Sequence, residues 1–154
     1  MKNAIFKVAL RVRFADCDPA GVVFYPRYFE MINTVIEEWF ADALDWSFTY
    51  IIMERKEGLP TVDVDCQFFS PSQMGDKLDF ELSVTSLGKS SMYVEIKAFN
   101  QSKPVLKATH VLVYVSLEAG MKSVEVPASL RRQMMSYVAQ EKRVEDSSSI
   151  RHTP

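Results

Sequence analysis

The chain has 154 residues, 25% of them charged, and a formal net charge of −2, so it lacks the clustered basic face of a nucleic-acid binder. Its length suits one domain that buries about 68–70% of its unfolded surface without staples, and Cys17 and Cys66 have neither zinc nor redox spacing. No run of about 18 apolar residues marks a membrane span, and Met1-Lys2-Asn3-Ala4 leads into alternation without the apolar core of an export signal, so a cytoplasmic location is expected.

In chain order, Phe6, Val8, Leu10, Val12 and Phe14 alternate with Lys7, Ala9, Arg11 and Arg13, the period of a half-buried strand. A carboxylate-rich turn follows, and Pro26 stands where a helix would begin, a favoured position for proline. From there to about Leu44, apolar residues recur at spacings of three and four: Tyr28, Phe29, Ile32, Val35, Ile36, Trp39, Phe40, Ala43 and Leu44. Arg27, Glu30, Asn33, Glu37 and Asp42 fall off that face. At about 1.5 Å per residue this helix is roughly 27 Å long, enough to cross a small domain. Residues 45–56 have no clean period, and a loop and a short helix both remain open there.

After Gly58-Leu59-Pro60, Val62, Val64, Cys66 and Phe68 alternate with Asp63, Asp65 and Gln67. Residues 70–76 read as a turn region. Leu78, Phe80, Leu82 and Val84 then alternate with polar neighbours, as do Met92, Val94, Ile96 and Ala98 beyond the turn Gly88-Lys89-Ser90-Ser91. Strands are predicted over residues 6–14, 61–69, 77–84, 92–100 and 105–117, and a terminal helix over 129–144. The domain is expected to span residues 1–144, with a mobile, Ser-rich tail over 145–154. Strict alternation demands one buried sheet face, and only the first helix is large enough to fill it. The fold class is therefore α+β, with a five-stranded antiparallel sheet wrapped on one long helix.

Before that helix, Asp16 and Asp18 flank Cys17. Asp-Pro-x-Gly is by itself a turn former: Asp initiates turns, Pro fixes φ and Gly supplies φ > 0. Asp16, the first acid of the pair, suits a turn hydrogen bond. Cys17 lacks an activating histidine, and the neighbouring carboxylates disfavour its thiolate, so it reads as structural. Two acids with no wider carboxylate cluster do not make a metal site. His110 lies within a strand and reads as a packed histidine; His152 is in the tail, and neither suggests a Ser-His-Asp triad.

The stretch Phe14-Ala15-Asp16-Cys17-Asp18-Pro19-Ala20-Gly21-Val22-Val23-Phe24-Tyr25-Pro26 closely resembles the opening motif of the 4-hydroxybenzoyl-CoA thioesterase family, with weaker similarity along residues 58–82 and at Glu125-Val126-Pro127. The resemblance implies a hot-dog fold and hydrolysis of a small or medium acyl-CoA, aromatic or aliphatic, without metal or cofactor. It implies Asp18 as nucleophile or general base, and the backbone N–H of Tyr25, at a helix N-terminus, as oxyanion donor. Asn33 matches a carboxylate that recognises the phenol in the 4-hydroxybenzoyl enzyme, and retains hydrogen-bonding capacity without the charge. Lys89 is what remains of a basic segment that holds nucleotide phosphate; Lys103, Lys107, Arg131 and Arg132 are candidate substitutes. The family also implies a homodimer or homotetramer with the site at the dimer interface. Hydrolysis of acyl carrier protein thioesters, or a non-catalytic acyl-binding module on the same fold, are the alternatives.

Overall fold

A computed structural model describes residues 4–139. The long helix α1 (Pro26–Glu38) opens with proline in its first turn and continues without a break into a π-helical turn, Trp39–Ala43. In that wider turn the Leu44 N–H donates to the Trp39 carbonyl at 3.1 Å, and Trp39, Phe40 and Leu44 are all fully buried. Trp39 and Phe40 meet edge to face at 5.2 Å, and Phe40 packs on Phe48 at 5.2 Å. The segment the sequence left open holds a second π-helical turn, Tyr50–Glu54, entered where the Ser47 hydroxyl accepts the Tyr50 N–H at 3.1 Å.

The strands are β1 (Phe6–Arg11), β2 (Glu57–Gly58), β3 (Thr61–Phe68), β4 (Lys77–Leu87), β5 (Ser91–Asn100), β6 (Lys103–Val113), β7 (Val115–Ser116) and β8 (Lys122–Ser123). Five of them form an antiparallel sheet in the order β1-β4-β5-β6-β3. Its inward rows are Leu78, Phe80, Leu82 and Val84 on β4, Met92, Val94, Ile96 and Ala98 on β5, and Leu106, Ala108 and Leu112 on β6, all at most 2% exposed. They form one core with Ile32, Val35 and Ile36 of α1. This is the hot-dog arrangement: the alternation puts one apolar row inside each strand, and α1 is the element those rows cover. No helix among the described residues is long and apolar enough to cross a membrane.

Several boundaries differ from the sequence reading. Alternation continues to Phe14, but β1 ends at Arg11 because Phe14–Asp16 coils into a 3₁₀ turn that leaves Phe14 81% exposed. The predicted strand over 105–117 is interrupted at Tyr114: beyond it β7 leaves the main sheet for a small one of order β2-β7-β8. The terminal helix α2 is shorter than expected, Ala128–Met135. Past it the chain turns to pair with β4, where the Val84 N–H donates to the Tyr137 carbonyl at 2.8 Å and the Ala139 N–H returns to the Val84 carbonyl at 2.9 Å. Val84 borders a register shift in the β4–β5 pairing, where a local break lets a third segment join. The end of the predicted helix and the predicted tail over 145–154 lie outside the described residues.

The edge strand β3 keeps apolar side chains in contact with solvent. Its Val64 and Phe68 lie opposite the inward His110 and Leu106 of β6, yet both remain exposed, as does Val62 at 60%.

Candidate active site

The acidic segment is a miniature hairpin. The Asp16 carboxylate accepts the Arg13 N–H at 2.8 Å and closes the 3₁₀ turn, which commits that acid to a backbone cap. Cys17 then pairs antiparallel with Val23, and the Phe24 N–H donates to the Asp16 carbonyl at 2.9 Å. Between these pairs the chain reverses over Asp18-Pro19-Ala20-Gly21: the Gly21 N–H donates to the Asp18 carbonyl and the Asp18 N–H to the Val22 carbonyl, each at 2.9 Å. Proline at the second position and a glycine at φ +79° in the fourth give this turn its shape.

The half-buried Asp18 carboxylate sits at the head of this turn. Its Oδ1 accepts the Ala20 N–H at 2.8 Å, while Oδ2 has no partner among the described residues. The turn reading made from the sequence is met at Oδ1, and the catalytic reading concerns Oδ2. One oxygen does the work of a turn-forming aspartate, and the other is free. Asp16 has the turn role alone.

The start of α1 follows directly. Its first-turn N–H groups are accounted for one by one: the Arg27 N–H donates to the Phe24 carbonyl at 2.8 Å, the Tyr28 N–H to the Tyr25 carbonyl at 3.1 Å, and Pro26 has none. Tyr25, the N-cap, has a backbone N–H with no acceptor among the described residues. Helix geometry normally leaves several free donors at an N-terminus; tight bonds and a proline reduce them here to the one at Tyr25.

Beside this N-terminus lies an open groove of about 400 Å³, lined by Val23, Tyr25, Tyr28, Phe68, Phe69, Ser70 and Pro71. Tyr28 and Phe68 face each other at 5.4 Å and 37°, and Phe29 meets Phe68 edge-on at 6.2 Å. Burial raises the Tyr28 phenol above its usual pKa, against the hydrogen bonds it makes to Ser72. Tyr28, Phe68, Phe69 and Ser72 were not among the residues expected to form the site. Tyr28 carried only a helix-face signal and Phe68 only a strand-face signal, and the turn region around Ser72 has no periodicity at all.

The other expected site residues are not gathered here. Asn33 is exposed on α1, eight residues beyond Tyr25, or roughly 12 Å along the helix axis. Lys89 is exposed in the β4–β5 turn, whereas Asp76, next to the acidic segment through its bond with Val12, stands just before the opposite end of β4. Eleven residues of strand separate them, roughly 33–36 Å at about 3.3 Å per residue. Arg131 is not a free substitute for Lys89, because its guanidinium donates to the Gly88 and Lys89 carbonyls and so braces that turn.

A larger cleft of about 660 Å³ opens at Arg55, Glu57, Ser116 and residues 124–128. It shares no residue with the acidic segment, and its arginine is already paired with Glu57 at 2.7 Å. The Cys17 thiol donates to the Arg13 carbonyl at 3.4 Å. Partial burial, then the charges of Asp16 and Asp18, push its pKa up, away from the thiolate a nucleophile requires. Among the described residues no group of three or more His, Cys, Asp or Glu is arranged to hold a metal ion.

Residues 12–134 match the family described as the thioesterase-like superfamily. A 1,4-dihydroxy-2-naphthoyl-CoA hydrolase of Synechococcus elongatus is 29% identical over 109 residues, which cover 70% of this chain and 78% of that one. A 4-hydroxybenzoyl-CoA thioesterase of a Pseudomonas species is 25% identical over 126 residues, 77% of this chain and 89% of its relative. Among solved structures, a 1,4-dihydroxy-2-naphthoyl-CoA thioesterase from Synechocystis superposes with a TM-score of 0.79 over 86% of this chain and 96% of that one, at 23% identity. The match spans the acidic turn, α1 and four of the five strands of the main sheet, β3 to β6, and the chain accordingly belongs to the thioesterase-like superfamily: it is a thioester hydrolase of the hot-dog fold.

Proposed function

We propose that the chain hydrolyses acyl-CoA thioesters, with the Asp18 carboxylate as nucleophile or general base and the Tyr25 N–H as oxyanion donor. The observation that carries this reading is the pairing, within eight residues, of a carboxylate oxygen and the Tyr25 N–H at the start of α1, neither of which has a partner among the described residues. Thioester hydrolysis needs both groups. Attack on the carbonyl carbon builds negative charge on its oxygen, which an oriented N–H backed by the helix dipole stabilises. The CoA thiolate then leaves. If Asp18 attacks, the first product is a mixed anhydride that water cleaves; if it acts as a base, it takes a proton from water as the water adds. Both routes use the same free oxygen.

The acyl group enters the groove at Tyr28 and Phe68. Two aromatic rings at 5.4 Å favour a planar aromatic acyl group over a long flexible chain. The aryl-CoA substrates in the names of the relatives support the same choice. Asn33 and Lys89 are contacts for substrate only if a second copy supplies a wall of the site, since Lys89 of the same protomer is a strand's length away. The uncovered Val62, Val64 and Phe68 on β3 support a homodimer formed along that edge, or a tetramer of two such dimers. A CoA ester as substrate is consistent with work in the cytoplasm.

The test is a hydrolysis panel of benzoyl-, 4-hydroxybenzoyl-, 1,4-dihydroxy-2-naphthoyl-, hexanoyl- and palmitoyl-CoA, with one acyl carrier protein thioester, reading the released thiol. Highest kcat/KM for an aromatic CoA ester is expected. Preference for the carrier-protein thioester would transfer the activity to that substrate class, and no turnover of any would leave a binding module.

A further inference from the structure

Ser72 is fully buried in the connection between β3 and β4, and two of its groups face two different parts of the site. Its carbonyl accepts the Val23 N–H at 2.9 Å, and Val23 is the pairing partner of Cys17, next to Asp18. Its hydroxyl accepts the phenolic proton of Tyr28 at 3.1 Å, and the Tyr28 N–H in turn holds the Tyr25 carbonyl at 3.1 Å. Around it, Gln73 pairs with Val22, and the Met74 N–H donates to the Gly21 carbonyl at 3.1 Å. Residues 72–74 thus run as a third short strand beside the acidic hairpin.

That strand is itself fixed. The Asp76 carboxylate accepts the Gln73 N–H at 2.8 Å and the Asn100 side-chain amide at 2.9 Å, and the Gly75 N–H donates to the Val12 carbonyl at 2.8 Å.

We infer that Ser72 is a positioning residue for the hydrolysis: one buried side chain sets the first turn of α1 against the Asp18 hairpin, so that carboxylate and Tyr25 N–H address the same carbonyl. The inference rests on the roles proposed above for Asp18 and Tyr25. The backbone link to Val23 survives any change of side chain, whereas the link to Tyr28 depends on two hydroxyl groups. Removing either breaks that link, and loosens the turn whose N–H must meet the oxyanion. Misalignment of reacting groups by about 1 Å can cost two decades of rate, so even a small shift should be visible in turnover.

The experiment measures kcat and KM for Tyr28→Phe, Ser72→Ala and the double variant with the fastest acyl-CoA of the panel, at a temperature well below every Tm. It is repeated in the Asp18→Asn background. Tyr28→Phe preserves the ring and its packing, so it remains informative if Ser72→Ala folds poorly. Each single variant is expected to lose about ten-fold in kcat with KM within about two-fold, and the double variant to be no worse than the poorer single. In the Asp18→Asn background the residual rate is expected to change by less than about two-fold. Wild-type kcat in folded Tyr28→Phe, or equal losses in both backgrounds, would overturn the positioning role alone. Wild-type turnover in Asp18→Asn by itself would remove the reading beneath the inference, and the inference with it.

Discussion

His110 and Thr61 meet across β6 and β3: the imidazole Nε2 and the threonine Oγ1 are 2.6 Å apart, and the other ring nitrogen, Nδ1, has no partner among the described residues. Burial lowers the pKa of this histidine below its ordinary 6.5. Protonation would leave an Nδ1–H donor buried without an acceptor. Below pH about 6.5 the unfolded chain takes up a proton that the folded chain declines, so stability falls as pH is lowered through that value. Urea midpoints measured between pH 8 and pH 5.5 should decline, and His110→Gln should flatten the dependence. An unchanged slope in that variant would assign the acid sensitivity to other groups.

The two carboxylates of the acidic turn have separable effects. Asp16→Asn keeps an amide oxygen that can accept the Arg13 N–H and is expected to leave stability nearly unchanged, whereas Asp16→Ala removes the acceptor and should cost about 0.5–2 kcal/mol. Turnover of Asp16→Asn should fall by less than that of Asp18→Asn. Equilibrium unfolding alongside steady-state kinetics checks both; a larger kinetic loss in Asp16→Asn would exchange the roles of the two acids.

Gly21 adopts φ +79° with open space where a side chain would go. Gly21→Ala therefore meets backbone strain and no clash, and should cost about 1–2 kcal/mol. A lower Tm with a loss of kcat would show that the turn shape holds Asp18 in place, whereas an unchanged Tm would mean that the turn relaxes without penalty.

Much of this fold is legible from side-chain period. Val8, Leu10, Phe80, Leu82, Val94 and Ile96 alternate because each strand buries one face, and the spacing from Tyr28 to Leu44 marks α1. The misses have local causes. Nothing in the apolar pattern of Trp39, Phe40 and Leu44 distinguishes a π-helical turn from a continued α-helix. The alternation through Phe14 hides the end of β1, where Asp16 captures the Arg13 N–H instead of letting the strand proceed. Two-residue strands such as β2, β7 and β8 are too short to have a period. In the site, the acidic motif was readable through its resemblance to a family. Ser72 was not, because its burial depends on contacts with Val23 and Tyr28, 49 and 44 residues earlier in the chain.

Val64 lies on an edge strand, faces inward by register, and is still exposed. Val64→Arg is expected to convert a dimer to a monomer in sedimentation velocity and to abolish turnover with little change in the secondary-structure signal. A dimer that persists with full activity would exclude β3 as the interface.

The most direct measurement is kcat for Asp18→Asn, with folding and acyl-CoA binding followed in parallel. Asparagine preserves the size of the side chain and the Oδ1 acceptor for the Ala20 N–H, and removes the charge on which the proposed chemistry depends. The expected result is a folded protein that binds the acyl-CoA and loses at least about two decades of kcat. Wild-type turnover in a folded Asp18→Asn protein would contradict the account and return Asp18 to the role of a turn former.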